Sequence, residues 1–142
     1  MFAGGTPIAL VAVMISPSAP LVLVVDDDAP SARVLARLLR GDGLEVEVAE
    51  GGNEALARLS VGPMPDAVVI DLKTQRSDGV SAAIYARLRS ARIPVFVITA
   101  YPELLRQHRE FDPILQVFPK PVEYADLKSA LMAAWSATES GE

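Results

Sequence analysis

Three consecutive aspartates, Asp26, Asp27 and Asp28, follow the apolar run LVLVV at residues 21–25. A fourth, Asp71, follows AVVI at 67–70. Thr99 closes PVFVIT at 94–99, and Lys120 stands between two prolines just after ILQVF at 114–118. Carboxylates held close together repel one another. A hard divalent cation that keeps several waters, Mg2+, offsets that repulsion. Such a cation can bridge the acids and one oxygen of a phosphoryl group. Lys120 can neutralise a second oxygen, and the Thr99 hydroxyl can donate to a third. Asp71 would then be the nucleophile, taking the phosphoryl group as an aspartyl phosphate.

Each residue also has a plainer reading. Acids before a helix commonly cap it, and Asp28 is placed to do so. Lys120 alone would be a surface lysine, and Thr99 alone an ordinary strand-end threonine. Their arrival together at successive strand ends is what favours a site.

The elements that must position these groups alternate. LVLVV reads as a strand buried on both faces. A helix is expected over 30–43, with Pro30 in its first turn and Gly41–Gly43 as its stop. Val34, Leu35, Leu38 and Leu39 form its apolar stripe. EVEVA (45–49) alternates like an edge strand, and a short helix follows over 52–61. AVVI is a second buried strand. Helix 80–91 would turn Ala83, Ile84, Leu88 and Ala91 inward. PVFVIT, a short helix at 102–109, the strand ILQVF and a helix at 122–135 complete the series. The last helix carries Tyr124, Leu127, Leu131 and Trp135 on one stripe. Five strand–helix alternations predict a doubly wound α/β sandwich around a parallel sheet. Functional groups in such a sheet collect beyond the carboxyl ends of its strands.

The chain of 142 residues is about one domain's length, and its 51% hydrophobic content suffices for a core. The net charge of −5 argues against direct nucleic-acid binding, which needs clustered Lys and Arg. The absence of Cys excludes disulfides, thiolate metal sites and a Cys nucleophile, and fits a reducing cytoplasm. The apolar stretch 8–15 is too short to span a bilayer. No Lys or Arg precedes Arg33, so a signal peptide is not expected. Residues 1–20 are read as a disordered extension, with an extra edge strand or a true start at Met14 as alternatives. The folded unit is placed at 21–137 and a tail at 138–142.

In order, VVDDD (24–28), VVID (68–71), DG (78–79), VITA (97–100) and PKP (119–121) resemble a response regulator receiver domain of the CheY-like superfamily. The resemblance runs from Leu21 to about Trp135 and implies the flavodoxin-like (βα)5 fold with strand order 2-1-3-4-5. It implies that Asp71 accepts a phosphoryl group from a histidine kinase or histidine phosphotransfer protein. Asp26 and Asp27 would hold Mg2+ together with Asp71 and the Lys73 backbone carbonyl. Thr99 and Lys120 would contact the phosphoryl group, and Pro121 would follow a cis peptide bond. It also leaves room for a homodimer through the last strand and helices.

The chain departs from the family pattern at Thr74–Gln75, where Met-Pro is frequent, and at Val117, where an aromatic switch residue usually stands. The Thr-small-Tyr sequence at 99–101 is similar to a receiver type common in alphaproteobacteria. Lys73 and Tyr101, two residues after Asp71 and Thr99, could lie over the phosphoryl group and exclude water, giving a long-lived phosphate. Both also read as ordinary exposed residues. His108, within RQHRE, is given no role.

Three functions compete. The first is a single-domain phosphoacceptor, since only seven residues follow Trp135. It would be no enzyme, assist its own phosphorylation and dephosphorylation, and signal by protein contact. The second is a phosphatase of the haloacid dehalogenase type using Asp26 and Asp28, whose further acidic pair would fall in a helix at Glu123 and Asp126. The third is a degenerate receiver acting as an adaptor.

Overall fold

The computed structural model describes residues 19–72, 91–105 and 115–140. Their elements are β1 (Leu21–Val25), α1 (Ala29–Gly41), β2 (Glu45–Ala49), α2 (Gly52–Leu59), β3 (Ala67–Leu72), β4 (Val95–Thr99), a 3-10 turn (Pro102–Leu105), β5 (Leu115–Pro119) and α3 (Tyr124–Ser140). The strands form one parallel sheet in the order β2-β1-β3-β4-β5. This is the expected doubly wound order, with the direction of winding reversed between β1 and β3.

Alternate residues of each strand point to opposite faces, so a sheet covered on both sides needs near-continuous apolar strands. One face packs Leu23, Val25, Val68, Ile70, Val95, Val97 and Val117 against Ala55 and Leu59 of α2. The other packs Val22, Val24, Val69, Phe96 and Ile98 against Ala36 and Leu39 of α1 and Leu127 and Leu131 of α3. The edge strand β2 exposes Glu45 and Glu47 while burying Val46 and Ala49, which discourages pairing with another chain.

Asp28 caps α1. Its backbone is extended, and its side chain accepts from the Ser31 amide at 3.0 Å. At the other end Gly43, at φ 89°, lets the chain turn back so that its amide and that of Leu44 satisfy Arg40 and Leu39 carbonyls.

Four expectations need correction. The buried face of α1 is Ala32, Ala36 and Leu39 with Leu35 partly covered; Val34 is 59% exposed and Leu38 43%. The small alanines let the helix backbone lie close to the sheet, which turns Val34 and Leu38 aside. β3 continues through Asp71 to Leu72, because Asp71 pairs with Ile98 and Leu72 with Thr99. Ala91, the described end of helix 80–91, is exposed rather than inward. α3 starts at Tyr124, and its stripe of Tyr124, Leu127, Leu131 and Trp135 packs as expected. The rest of helix 80–91, residues 106–109 of helix 102–109, and the stretch 1–18 lie outside the described residues.

No described helix is long and apolar enough to cross a membrane.

Candidate functional site

Parallel pairing carries the strand ends to one rim. The register pairs Val25 with Ile70, so Asp26 and Asp71 leave neighbouring strands at the same level. Leu72 pairs with Thr99, and Thr99 in turn with Pro119, the residue before Lys120. Asp26, Asp71, Thr99 and Lys120 are thereby gathered from four adjacent strands.

The three aspartates divide the labour. Asp26 is 3% exposed, its amide donates to Ala49 O at 3.0 Å, and its Oδ1 accepts from the Asp28 amide at 2.9 Å. Asp28 Oδ2 is engaged by the Ser31 amide and by a short hydrogen bond from the Ser31 hydroxyl. Asp27 is exposed beside them. Asp28 therefore belongs to the helix terminus, where a carboxylate is stabilised by the free amides and the helix dipole. That engagement suits it poorly to the general-acid role of a phosphatase.

Lys120 Nζ lies 2.8 Å from Asp71 Oδ1 and 3.3 Å from the Leu72 carbonyl oxygen, to which it donates. The Asp71 side chain is 13% exposed and that of Lys120 28%. The Lys120 amide donates to Thr99 O at 2.9 Å, tying β5's end to β4's. The Lys120–Pro121 peptide bond is cis, as the resemblance implied. Thr99, 2% exposed, accepts from the Tyr101 amide through Oγ1 at 2.9 Å. Its hydroxyl proton therefore points elsewhere.

Of the sequence-derived set, Asp26, Asp71, Thr99 and Lys120 come together, with Asp27, Pro121 and Tyr101 on the same rim. Lys73 lies outside the described residues. Among the described residues no three acidic or imidazole side chains are close enough to form a metal site by themselves. The donor set nonetheless suits Mg2+: two poorly exposed carboxylates on adjacent strands, an exposed third beside them, and oxygen as the only donor type. Such an ion keeps several waters and needs few protein ligands.

A groove of about 710 Å³ opens beside the site. It is lined by Asp71 and Lys120, by Ser31, Val34 and Leu38 of α1, by Val122, and by Tyr124 and Leu127 of α3. At its far end the Tyr124 hydroxyl reaches Asp42 Oδ2 at 2.6 Å and Leu38 O at 3.1 Å, and Lys128 Nζ reaches Asp42 Oδ1 at 3.0 Å. Hydrogen bonds from Tyr124 and Lys128 hold the Asp42 carboxyl below its ordinary value. Partial burial, then the Asp42 carboxylate, push the Tyr124 hydroxyl well above the ordinary phenol value. Asp42, Lys128 and Ser31 were missed in the sequence.

Residues 22–132 match the family model described as "Response regulator receiver domain". The response regulator MprA of Mycolicibacterium vanbaalenii is 34% identical over 113 residues, covering 79% of this chain and 48% of that protein. The chain spans about half or less of the length of the first curated relatives it matches. Among solved structures, the receiver domain of Francisella response regulator 1452 is 27% identical with a TM-score of 0.66, over 84% of this chain and 98% of that one. TrrA of Thermotoga maritima, in complex with Mg2+ and BeF, shares the fold at 23% identity and a TM-score of 0.65, over 80% of this chain and 97% of that one.

Proposed function

The chain belongs to the response regulator receiver domain family of two-component systems, and on that premise we propose that it accepts a phosphoryl group on Asp71. The observation that carries this reading is the Lys120 ammonium 2.8 Å from Asp71 Oδ1, with the buried Thr99 on the next strand paired with Leu72, the residue after Asp71. A carboxylate oxygen of Asp71 attacks phosphorus, the phosphorus–nitrogen bond of a phosphohistidine breaks with its electron pair going to nitrogen, and the donor's imidazole, already protonated on its other ring nitrogen, leaves neutral. Lys120 neutralises the oxygen charge that gathers beside Asp71, and the Thr99 hydroxyl donates to the phosphoryl group. Asp26, Asp27, Asp71 and the Lys73 carbonyl would hold Mg2+, which when bound screens the entering phosphoryl group from the acids. Lys73 and Tyr101 would shield the product from water.

The phosphodonor is a histidine kinase or a histidine phosphotransfer protein, and the signal leaves by protein contact. The groove supports this partner class, because Asp71 and Lys120 close one of its ends while Val34 and Leu38 line its wall. Arg33 and Arg37 are exposed on the same helix. A donor helix with an apolar face flanked by acids fits both features.

The test is intact mass after incubation with acetyl phosphate and Mg2+, with Asp71→Asn as control. A single Mg2+-dependent phosphoryl adduct, absent in the control, is expected. No adduct would leave the adaptor reading, and steady phosphate release without an adduct the phosphatase.

A further inference from the structure

We propose that Tyr124 is a positioning residue for phosphotransfer from a protein donor, acting through a latch with Asp42 and Lys128 that sets the groove's width. The proposal rests on the phosphoacceptor reading above. The groove's two walls, α1 and the start of α3, pack on the sheet through Ala36, Leu39, Leu127 and Leu131. Of these, Leu127 also lines the groove. Beyond these contacts Tyr124 and Lys128 close on Asp42, the residue that caps the end of α1.

The chemistry of the latch makes it directional. The Tyr124 hydroxyl has one proton and two acceptors within reach, Asp42 Oδ2 at 2.6 Å and Leu38 O at 3.1 Å. The charged acceptor takes it. Lys128 occupies the other carboxylate oxygen, so Asp42 is held from both sides, and the end of α1 is held with it. Leu38, whose side chain lines the groove, sits one turn before Asp42. Loss of the phenolic hydroxyl frees this wall to move without touching Asp71, Thr99 or Lys120. A small phosphodonor needs only the rim, whereas a protein donor must also fit the groove.

The experiment compares wild type, Tyr124→Phe and Asp42→Ala with two donors. One is acetyl phosphate with Mg2+. The other is an isolated, phosphorylated histidine phosphotransfer domain chosen because it labels the wild-type chain. Tyr124→Phe is expected to raise KM for the domain about fivefold, the scale of one ordinary net hydrogen bond, and Asp42→Ala, which removes both bonds of the latch, at least as much. The kcat with the domain and the rate with acetyl phosphate should stay at wild-type values. An unchanged KM overturns the proposal, as does equal slowing with both donors, which would mark a general structural role. A wild-type chain that takes no label from acetyl phosphate fails earlier, at the phosphoacceptor reading, and removes the proposal with it.

Discussion

Lys120 Nζ sits 2.8 Å from Asp71 Oδ1 although 48 residues separate Leu72, its second partner, from it in sequence. The ammonium thus rests on the carboxylate proposed as the nucleophile, where a phosphoryl oxygen would gather charge. Lys120→Ala should lower the initial rate of adduct formation from acetyl phosphate by about 100-fold, the scale for losing one preorganised charge stabiliser. Mg2+ affinity by calorimetry should change little. A rate within about threefold of wild type would remove Lys120 from the chemistry.

The aspartate triplet supplies a second prediction, because its members hold different partners. Asp28→Ala removes the acceptor for the Ser31 amide and should cost about 1 kcal/mol in denaturant unfolding. Asp27→Ala removes an exposed carboxylate from the acid cluster and should leave stability within about 0.5 kcal/mol. Mg2+ binding should respond in the opposite order, weakened by Asp27→Ala and retained in Asp28→Ala. A substantial loss of Mg2+ affinity in Asp28→Ala would return that carboxylate to the metal.

The same division shows what was legible in the sequence and what was not. Strands buried on both faces must be unbroken apolar runs and an edge strand alternates, so LVLVV and EVEVA could each be bounded to the residue. Once the alternation was read, parallel topology sent Asp26, Asp71, Thr99 and Lys120 to one rim. The orientation of α1 was not legible. Val34 and Leu38 make a better apolar stripe than Ala32 and Ala36, yet closeness to the sheet favours the small residues. The latch was invisible for another reason: Tyr124 and Asp42 are 82 residues apart, and no local pattern joins them. β3 was set two residues short because polar Asp71 looked like an end, while pairing with β4 continues past it.

The latch has a pH signature with two arms. Tyr124 titrates above its ordinary phenol value in the folded chain. Its contribution is therefore present below about pH 10 and is lost as pH rises beyond it, when the unfolded phenol ionises first. Asp42 titrates below its ordinary value. Its contribution is present above about pH 4 and is lost as pH falls through the folded value. The stability gap between wild type and Tyr124→Phe should be flat across neutral pH and close on the alkaline side. That between wild type and Asp42→Asn should close on the acid side. Urea midpoints measured across the pH range check this; groups outside the latch cancel in each pair, while Asp42 and Tyr124 shift one another, so each gap also narrows at the opposite extreme. A gap that widened with alkali would contradict the sign.

Phosphate lifetime gives the last prediction. Hydrolysis of an aspartyl phosphate needs water in line behind the phosphorus, so side chains over the rim set the rate. Tyr101 is half-buried, and its backbone amide donates to Thr99 Oγ1, which fixes its main chain two residues from the hydroxyl that would meet the phosphoryl group. Tyr101→Ala should shorten the half-life of the phosphorylated chain about tenfold, with a further loss in the double variant that adds Lys73→Ala. Tyr101→Phe keeps the apolar ring and should stay close to wild type, because exclusion of water rather than hydrogen bonding is the cause. Decay of the intact-mass adduct after removal of the donor measures all three. Equal decay in wild type and the double variant would mean that water reaches phosphorus by a path neither side chain covers.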